Sequence, residues 1–287
     1  MSKHNSSISP RLITRKQVAA FLKPRPHDSH KGMFGTVTVI GGASGMVGAP
    51  LLAARAALKM GAGCVHVILL AKNAPTVDLV QPELMLHSAA EGLSKIKPDV
   101  IAIGCGLGTS KEAYNLLYEA LQTRLPLVLD ADALNLLASH SDLQDDLRER
   151  KHPVVLTPHP GEAARLLGCT TTEIQSDRIK AVQHLVQKFN CSVALKGADS
   201  LCATSDGKLH INKTGNSGMS SAGMGDVLTG MIAAFIAQGL SANDAMLLSV
   251  HLHGAAGDAL AQQGISIGMT ASDVTEWSRW LLNQWIK

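Results

Sequence analysis

One glycine-rich segment combines residues that could bind an anion and move a proton. Residues 214–230 read TGNSGMSSAGMGDVLTG, hold five glycines and lead into a helix-forming run at 227–237. Glycines ahead of a helix let several backbone N–H groups point at one anion, which the positive end of the helix dipole also attracts. Asp226 could then take the proton of a hydroxyl that attacks a phosphoryl group. The alternative is a glycine-rich turn in which Asp226 caps the helix.

Further polar and glycine residues follow apolar runs, at the strand ends where ligands of open parallel sheets gather. Gly104, Gly106 and Gly108 form a weak glycine-rich signal directly after VIAI. Asp130 and Asp132 follow LVL, where they could orient a substrate or equally cap a helix. The chain has no G-x-x-x-x-G-K-[ST] segment, which excludes the P-loop kinases.

The histidines give weaker indications. His159 lies between two prolines, and the sequence alone favours an exposed turn residue there. His251 and His253 are two positions apart on a predicted helix, so they do not share a face and a metal-binding pair is disfavoured.

Short apolar strands alternate with helical patterns along most of the chain. This alternation predicts an α/β fold, with a mostly parallel central sheet and helices on both faces. We expect residues 1–287 to form a single domain, with a loose first dozen residues and a helix that Thr14 caps. A hairpin at 200–212 turns on Asp206-Gly207, a pair that tolerates positive φ. The strands are predicted at 36–40, 64–70, 99–103, 127–129, 154–156 and 192–195, and the helices at 14–22, 48–60, 111–122, 144–149, 171–189, 227–237 and 273–286.

Composition argues against several classes of function. The 287 residues carry a net charge of only +3, and lysine and arginine are dispersed, so binding to nucleic acid or to a membrane surface is disfavoured. The five cysteines include no C-x-x-C pair, so neither a disulfide framework nor a zinc site is indicated. We find neither the apolar region of a secretory signal nor a run of about 18 apolar residues, and we therefore expect a cytoplasmic enzyme.

Together with four other segments, the glycine-rich segment resembles the NAD(P)H-hydrate dehydratases of the ribokinase superfamily. The G-x-G-D at 223–226 is similar to the anion hole and catalytic base of ribokinase-like kinases, and the string GNSGMSSAGMGDVLTG is similar to the dehydratase signature. The resemblance keeps its order from about residue 30 to the C-terminal helices and implies a ribokinase-like three-layer sandwich. The four other segments are HKG with FG at 30–35, GAP with LA at 48–53, TPHPGE at 157–162 and LKG at 195–197.

The resemblance also implies roles for individual residues. Asp226 would be the catalytic base and would contact the hydroxyl of the substrate. Glu162 would hold Mg²⁺ through water, with His159 standing where related kinases have the Asn of an N-x-x-E motif. The implied nucleotide-binding residues are Lys196, Gly197, Ala198, Asp199, Ser200, Gly223 and Gly225, and the implied substrate-binding residues are Ala49, Gly106, His159 and Asp226.

The implied reaction is dehydration of the S-epimer of hydrated NADH or NADPH, with ADP (or ATP) as co-substrate and Mg²⁺ as cofactor. Phosphorylation turns the hydroxyl of the damaged nicotinamide ring into a better leaving group, and AMP and phosphate are released. Two alternatives stay open. One is a small-molecule kinase acting on a vitamin-precursor alcohol, because the G-x-G-D is common to both kinds of enzyme. The other is an inactive nucleotide-binding module. The resemblance further implies a homo-oligomer, often a tetramer, and pairing with an NAD(P)H-hydrate epimerase.

A stripe on the last helix is expected in the core or at a subunit contact: Trp277, Trp280, Leu281, Gln284 and Trp285.

Overall fold

The computed structural model describes residues 9–286, whose strands join in one ten-stranded sheet. Its order is β1-β10-β9-β8-β7-β6-β5-β2-β3-β4, and every neighbouring pair is parallel except the two pairs that include β9. The strands are β1 (Arg11–Leu12), β2 (Thr36–Gly41), β3 (Cys64–Leu69), β4 (Met85–Ser88), β5 (Val100–Ile103), β6 (Leu127–Leu129), β7 (Val154–Leu156), β8 (Ser192–Leu195), β9 (Leu201–Ala203) and β10 (Leu209–Ile211).

Eleven α-helices connect or cover these strands in the described part of the chain. Short 3₁₀ turns occupy Lys31–Phe34, Ala89–Glu91, Leu93–Lys95 and Ser217–Met219. The helices are α1 (Arg15–Ala19), α2 (Gly48–Lys59), α3 (Lys111–Gln122), α4 (Ala131–Ser139), α5 (Ser141–Glu149), α6 (Pro160–Leu167), α7 (Thr171–Ser176), α8 (Arg178–Phe189), α9 (Met224–Ala237), α10 (Ala242–Gln262) and α11 (Ala271–Trp285).

Alternating side chains of the strands build one core on each face of the sheet. On β2, Val37 and Val39 face a core shared with α2, α9, α10 and α11, whereas Ile40 faces a second core shared with α3 to α6 and α8. Helix α9 is apolar on nearly all sides and is almost wholly buried, as such helices must be. The result is the predicted three-layer α/β sandwich with helices on both faces.

Close packing of α9 on α2 depends on a glycine. An ideal Cβ at Gly230 would lie 1.9 Å from the carbonyl oxygen of Ala53. We expect Gly230→Ala to lower the free energy of unfolding by about 1–3 kcal/mol, because the helices must separate to admit a methyl group. Denaturant unfolding followed by circular dichroism measures this. Gly48→Ala is the matched control, since a Cβ there meets nothing within 4 Å. Equal stability of Gly230→Ala and the wild type would contradict the close approach.

Most predicted elements are confirmed, with three corrections. The first dozen residues are not all loose, because β1 pairs with β10 through Arg11 and Leu12; residues 1–8 of that prediction lie outside the described residues. The predicted helix at 171–189 is two helices, separated at Asp177, whose side chain caps α8 at the Lys180 N–H. The helix that Thr14 caps ends at Ala19 rather than at 22.

The predicted aromatic stripe of α11 is only partly buried. Trp285 is 5% exposed, whereas Trp280 is 54% exposed, and Trp277 lies between these extremes. The face of α11 that packs on the core instead includes Val274, Ser278 and Leu282 along with Trp285. Within residues 9–286, none of the helices combines the length and the apolar character that crossing a bilayer would require.

Candidate active site

The carboxyl ends of four neighbouring parallel strands, β5 to β8, meet the N-terminus of α9 at one edge of the sheet. Cys105 follows β5, Asp130 follows β6, and Lys196 follows β8. Ligands of open α/β sheets bind at this edge because loops leave the sheet there on both faces. The predicted residues from separate segments are therefore brought to one place.

A buried ion pair lies at the centre of this edge. Lys196 Nζ donates to Asp130 Oδ1 at 2.6 Å, and Thr229 Oγ1 of α9 donates to Asp130 Oδ2 at 2.9 Å. Asp130 is 1% exposed, so both of its carboxylate oxygens need these partners. Glu162 Oε2 lies 3.9 Å from the same ammonium group. Asp130 occupies the N-cap position of α4, but its side chain makes no capping hydrogen bond and pairs with Lys196 instead.

Asp226 lies beside this pair. Helix α9 starts at Met224 after the N-cap Gly223, so Asp226 sits in the first turn and is not the cap. Burial raises the pKa of Asp226 to about 6, and the nearby negative charge of Asp130 acts in the same direction. The Lys196 ammonium and the Cys105 thiol oppose this shift. A half-buried carboxylate with such a pKa is suited to accept a proton near neutral pH.

Different structural features favour glycine at the two glycine positions of the G-x-G-D. Gly223 has φ +89°, which a side chain would strain, and an added Cβ would approach Leu52 Cδ1 to 2.6 Å. At Gly225 an added Cβ would lie 3.1 Å from Lys196 Nζ. The backbone of α9 and the ammonium group of Lys196 thus form one surface with positive character, as binding of a phosphoryl group requires.

His159 and Glu162 form a reciprocal cap of α6. His159 Nδ1 accepts from the Gly161 N–H at 2.9 Å, and Glu162 Oε2 accepts from the His159 N–H at 2.7 Å. Burial raises the pKa of Glu162 to about 7. His159 Nε2 lies 3.3 Å from Glu162 Oε1, so both carboxylate oxygens already face a donor. The role of Glu162 in holding Mg²⁺ through water stays a prediction.

A cavity of about 510 Å³ opens next to Lys196 and Gly225. Its size lies within the range of about 300–1,000 Å³ that small-molecule sites occupy. All but one of the predicted nucleotide-binding residues line it; Gly223 does not. The opposite wall is the loop at 214–220, and the buried His253 also lines the cavity, with a pKa that burial lowers to about 4. The predicted residues in the lining are Lys196, Gly197, Ala198, Asp199, Ser200 and Gly225.

Two predicted substrate-binding residues lie on the other side of the central pair. Gly106 has φ +57°, and an added Cβ would approach Ala49 Cβ to 3.2 Å, so the two residues are neighbours. Cys105, the residue before Gly106, places Sγ within 4.8 Å of carboxylate oxygens of Asp130 and Asp226. Gly106 and Ala49 thus adjoin Cys105, which contacts the central carboxylates, and neither they nor Asp226 and His159 line the cavity.

Sequence reasoning missed two contributors to this site. Cys105 gave no signal, because a single cysteine between glycines has no motif. The pairing of Asp130 with Lys196 joins residues 66 positions apart, and only the order of the strands brings them together. The two predicted helix histidines have different surroundings: His251 Nδ1 lies 3.1 Å from Asn212 Oδ1, whereas His253 lines the cavity.

Comparison with known proteins agrees with this geometry. The sequence profile of the NAD(P)H-hydrate dehydratases matches residues 37–279. The chain is 42% identical over 279 residues to an ADP-dependent (S)-NAD(P)H-hydrate dehydratase of Neisseria meningitidis, covering 95% of this chain and 93% of that protein. It is also 42% identical over 267 residues to the bifunctional NAD(P)H-hydrate repair enzyme of Escherichia coli, covering 91% of this chain and 50% of that protein. The chain therefore spans about half the length of this bifunctional relative.

Two solved structures share the fold over nearly the whole chain. An ADP/ATP-dependent NAD(P)H-hydrate dehydratase of Bacillus subtilis, co-crystallised with ATP and Mg²⁺, gives a TM-score of 0.87 at 28% identity and covers 97% of this chain and 100% of that one. A ribokinase-like superfamily protein of Enterococcus faecalis gives 0.86 at 26% identity, covering 100% and 99%.

The fold and the site thus define an α/β protein of ribokinase-like architecture, with a carboxylate and an ammonium group at a glycine-rich helix N-terminus. Within that class, the chain belongs to the NAD(P)H-hydrate dehydratase family.

Proposed function

We propose that the protein is a hydro-lyase that uses ADP to dehydrate the S-epimer of hydrated NADH and NADPH in metabolite repair. The observation that carries this proposal is the position of Asp226, a carboxylate of raised pKa that interacts with Lys196 and directly follows Gly225, both of which line the cavity. Family membership supplies the substrate class. The nucleotide lies in the cavity, and the hydrated dinucleotide lies against Ala49, Gly106 and His159.

The first step is phosphoryl transfer. Asp226 accepts the proton of the substrate hydroxyl while the hydroxyl oxygen bonds to the terminal phosphorus of ADP, and the bond from that phosphorus to AMP breaks. Lys196 and the N–H groups at Gly225 stabilise the charge on the transferring group. Mg²⁺, when bound to the nucleotide, neutralises charge on the phosphate oxygens.

The second step is elimination of phosphate from the new ester. The ring nitrogen supplies electrons, the carbon–oxygen bond breaks, and loss of a proton from the adjacent carbon restores the double bond of NAD(P)H. AMP and inorganic phosphate are the products.

Incubation of the purified protein with NADH hydrate, ADP and Mg²⁺ tests the proposal. We expect absorbance at 340 nm to recover with one AMP released per NADH. A stable phosphorylated alcohol with no recovery would instead identify a small-molecule kinase on the same scaffold. Binding of ADP without turnover of either kind would identify an inactive nucleotide-binding module. Replacing ADP with ATP in the same assay decides the preferred co-substrate.

The pH dependence of the reaction should report Asp226. Its pKa is raised to about 6, and only the ionised carboxylate accepts a proton, so we expect kcat/KM to fall as the pH drops through about 6 and to level off above it. Glu162→Gln should keep the fall of kcat/KM near pH 6, because the pKa of Glu162 is raised to about 7 and this group is not the base. Activity that is unchanged between pH 5 and pH 8 would contradict the assignment of Asp226 as the base.

The remaining expectations belong to the same proposal. The enzyme works in the cytoplasm as a single-domain homo-oligomer, a tetramer, and acts with an NAD(P)H-hydrate epimerase. Occurrence of the bifunctional repair enzymes supports the last point, because they combine this region with an additional one of similar length. Sedimentation analysis of the purified protein tests the tetramer.

A further inference from the structure

One wall of the cavity is a loop with little regular secondary structure. Apart from the single 3₁₀ turn Ser217–Met219, the segment between β10 and α9 has no regular structure. Gly215 in this loop has φ +103°. Because glycine populates positive and negative φ about equally, contacts with other residues must select this conformation. Within residues 214–220 of this segment, six residues line the cavity: Thr214, Gly215, Asn216, Ser217, Met219 and Ser220.

A carboxylate behind the loop fixes it. Asp258 Oδ2 accepts from the Gly215 N–H at 2.9 Å, and Asp258 Oδ1 accepts from Asn216 Nδ2 at 3.1 Å. Asn216 Oδ1 in turn accepts from the Gly218 N–H at 2.9 Å. Asp258 itself is half-buried on α10 and is not among the residues that line the cavity. Both carboxylate oxygens of Asp258 therefore accept hydrogen bonds from the loop.

Helix α10 is shaped to bring this carboxylate close. An added Cβ at Gly254 would lie 2.4 Å from Thr214 Oγ1, and one at Gly257 would lie 2.3 Å from Met219 Sδ. Residues 254, 257 and 258 are three and four positions apart and share one face of the helix. Side chains at the two glycines would push the loop away from Asp258.

We infer that Asp258 is a positioning residue for nucleotide binding, which holds the loop at 214–220 as the preformed wall of the cavity. This inference rests on the proposed function, in which ADP occupies the cavity. When the wall is already ordered, ADP does not have to order it on binding, and its affinity is higher for that reason. Asp258 touches neither the phosphoryl group nor Asp226, so it affects binding and not the chemical step.

Asp258→Asn tests the inference with a side chain of the same shape. The amide can accept from only one of the two donors, and its NH₂ group faces the other. We expect the Kd and KM for Mg²⁺-ADP to rise about tenfold, since hydrogen bonds to a charged group are lost. We expect kcat at saturating ADP to stay within about threefold of the wild type. The matched control is Asp244→Asn, which removes the same charge from the capping turn of α10, away from the cavity, and should leave ADP binding unchanged.

Exchange of the two partners gives a sharper test. In Asp258→Asn with Asn216→Asp, the new amide can accept from the Gly215 N–H and donate to the new carboxylate, which still accepts from the Gly218 N–H. Asp258→Asn should therefore weaken ADP binding in the wild-type background and strengthen it in the Asn216→Asp background. Simple electrostatics predicts otherwise, because removal of a negative charge would favour the anionic nucleotide in both backgrounds.

Titration calorimetry with Mg²⁺-ADP and thermal unfolding of each variant decide the matter. If the wild type binds no ADP, the proposed function fails. If the wild type binds ADP and a folded Asp258→Asn binds it equally well, the function stands and the role of Asp258 is wrong. A fall of kcat without any change in KM would also overturn it. Should Asp258→Asn fail to fold, the Asn216→Ala variant, which loses one of the same contacts, must show the weaker ADP binding.

Discussion

Asp226→Asn is expected to reduce kcat for dehydration by about 10²–10⁴, the usual cost of removing a well-placed general base. The amide has nearly the same shape but cannot accept the hydroxyl proton. Binding of Mg²⁺-ADP should change little, because the cavity is lined by Lys196, Gly225 and the loop at 214–220 and not by Asp226. Initial rates of recovery at 340 nm and titration calorimetry measure the two quantities. Asp28→Asn, which removes a carboxylate from an exposed loop, serves as the control.

The same variant should be at least as stable as the wild type at pH 7 and above. The pKa of Asp226 is raised in the folded protein, so between about pH 4 and pH 6 the native state keeps a proton that the unfolded chain releases. Ionisation of Asp226 therefore destabilises the folded protein as the pH rises through that window, and a neutral amide avoids this destabilisation. A thermal unfolding midpoint of Asp226→Asn at or above that of the wild type would exclude unfolding as the cause of lost activity. Near-normal turnover of a folded Asp226→Asn would show that another group takes the proton.

Asp130→Asn is expected to have the largest effect on stability. It leaves the Lys196 ammonium without its partner at 2.6 Å, and removal of one member of a buried pair commonly costs about 3–5 kcal/mol. ADP binding should fall with it, because Lys196 lines the cavity and loses the group that orients it. Chemical denaturation measures the change in free energy of unfolding. Asp206→Asn breaks an exposed pair with Lys208 and should have little effect.

A double variant separates the structural role of the pair from its functional role. Asp130→Asn combined with Lys196→Gln removes both charges of this pair, and the two amides can hydrogen bond to each other and to Thr229. We expect most of the lost stability to return, since a neutral replacement of a buried pair is often harmless. Activity should not return, because the positive charge beside Gly225 is absent. Recovery of activity in the double variant would contradict the role proposed for Lys196.

The sequence predicted eight of the ten described strands, because these are short apolar runs, and it missed β1 and β4. The strand at 127–129 and the hairpin around Asp206-Gly207 are found where the pattern places them. The break at Asp177 was missed because the apolar period continues across it, and only the capping hydrogen bond to Lys180 shows that a new helix begins. Asp226 was found because a motif of four consecutive residues carries it.

The local pattern of the chain thus determined the elements, the glycine-rich helix start and the family. Which charges face one another was decided by the tertiary structure, because the parallel order β5-β6-β7-β8 brings together strand ends that are far apart in sequence. Asp130 could cap a helix or orient a ligand until Lys196 was found at 2.6 Å. Asp258 gave no signal at all, since its partners, Gly215 and Asn216, precede it by some 40 residues and meet it only through the packing of α10. Periodicity is a property of neighbouring residues, whereas pKa values and loop order depend on long-range contacts that folding alone creates.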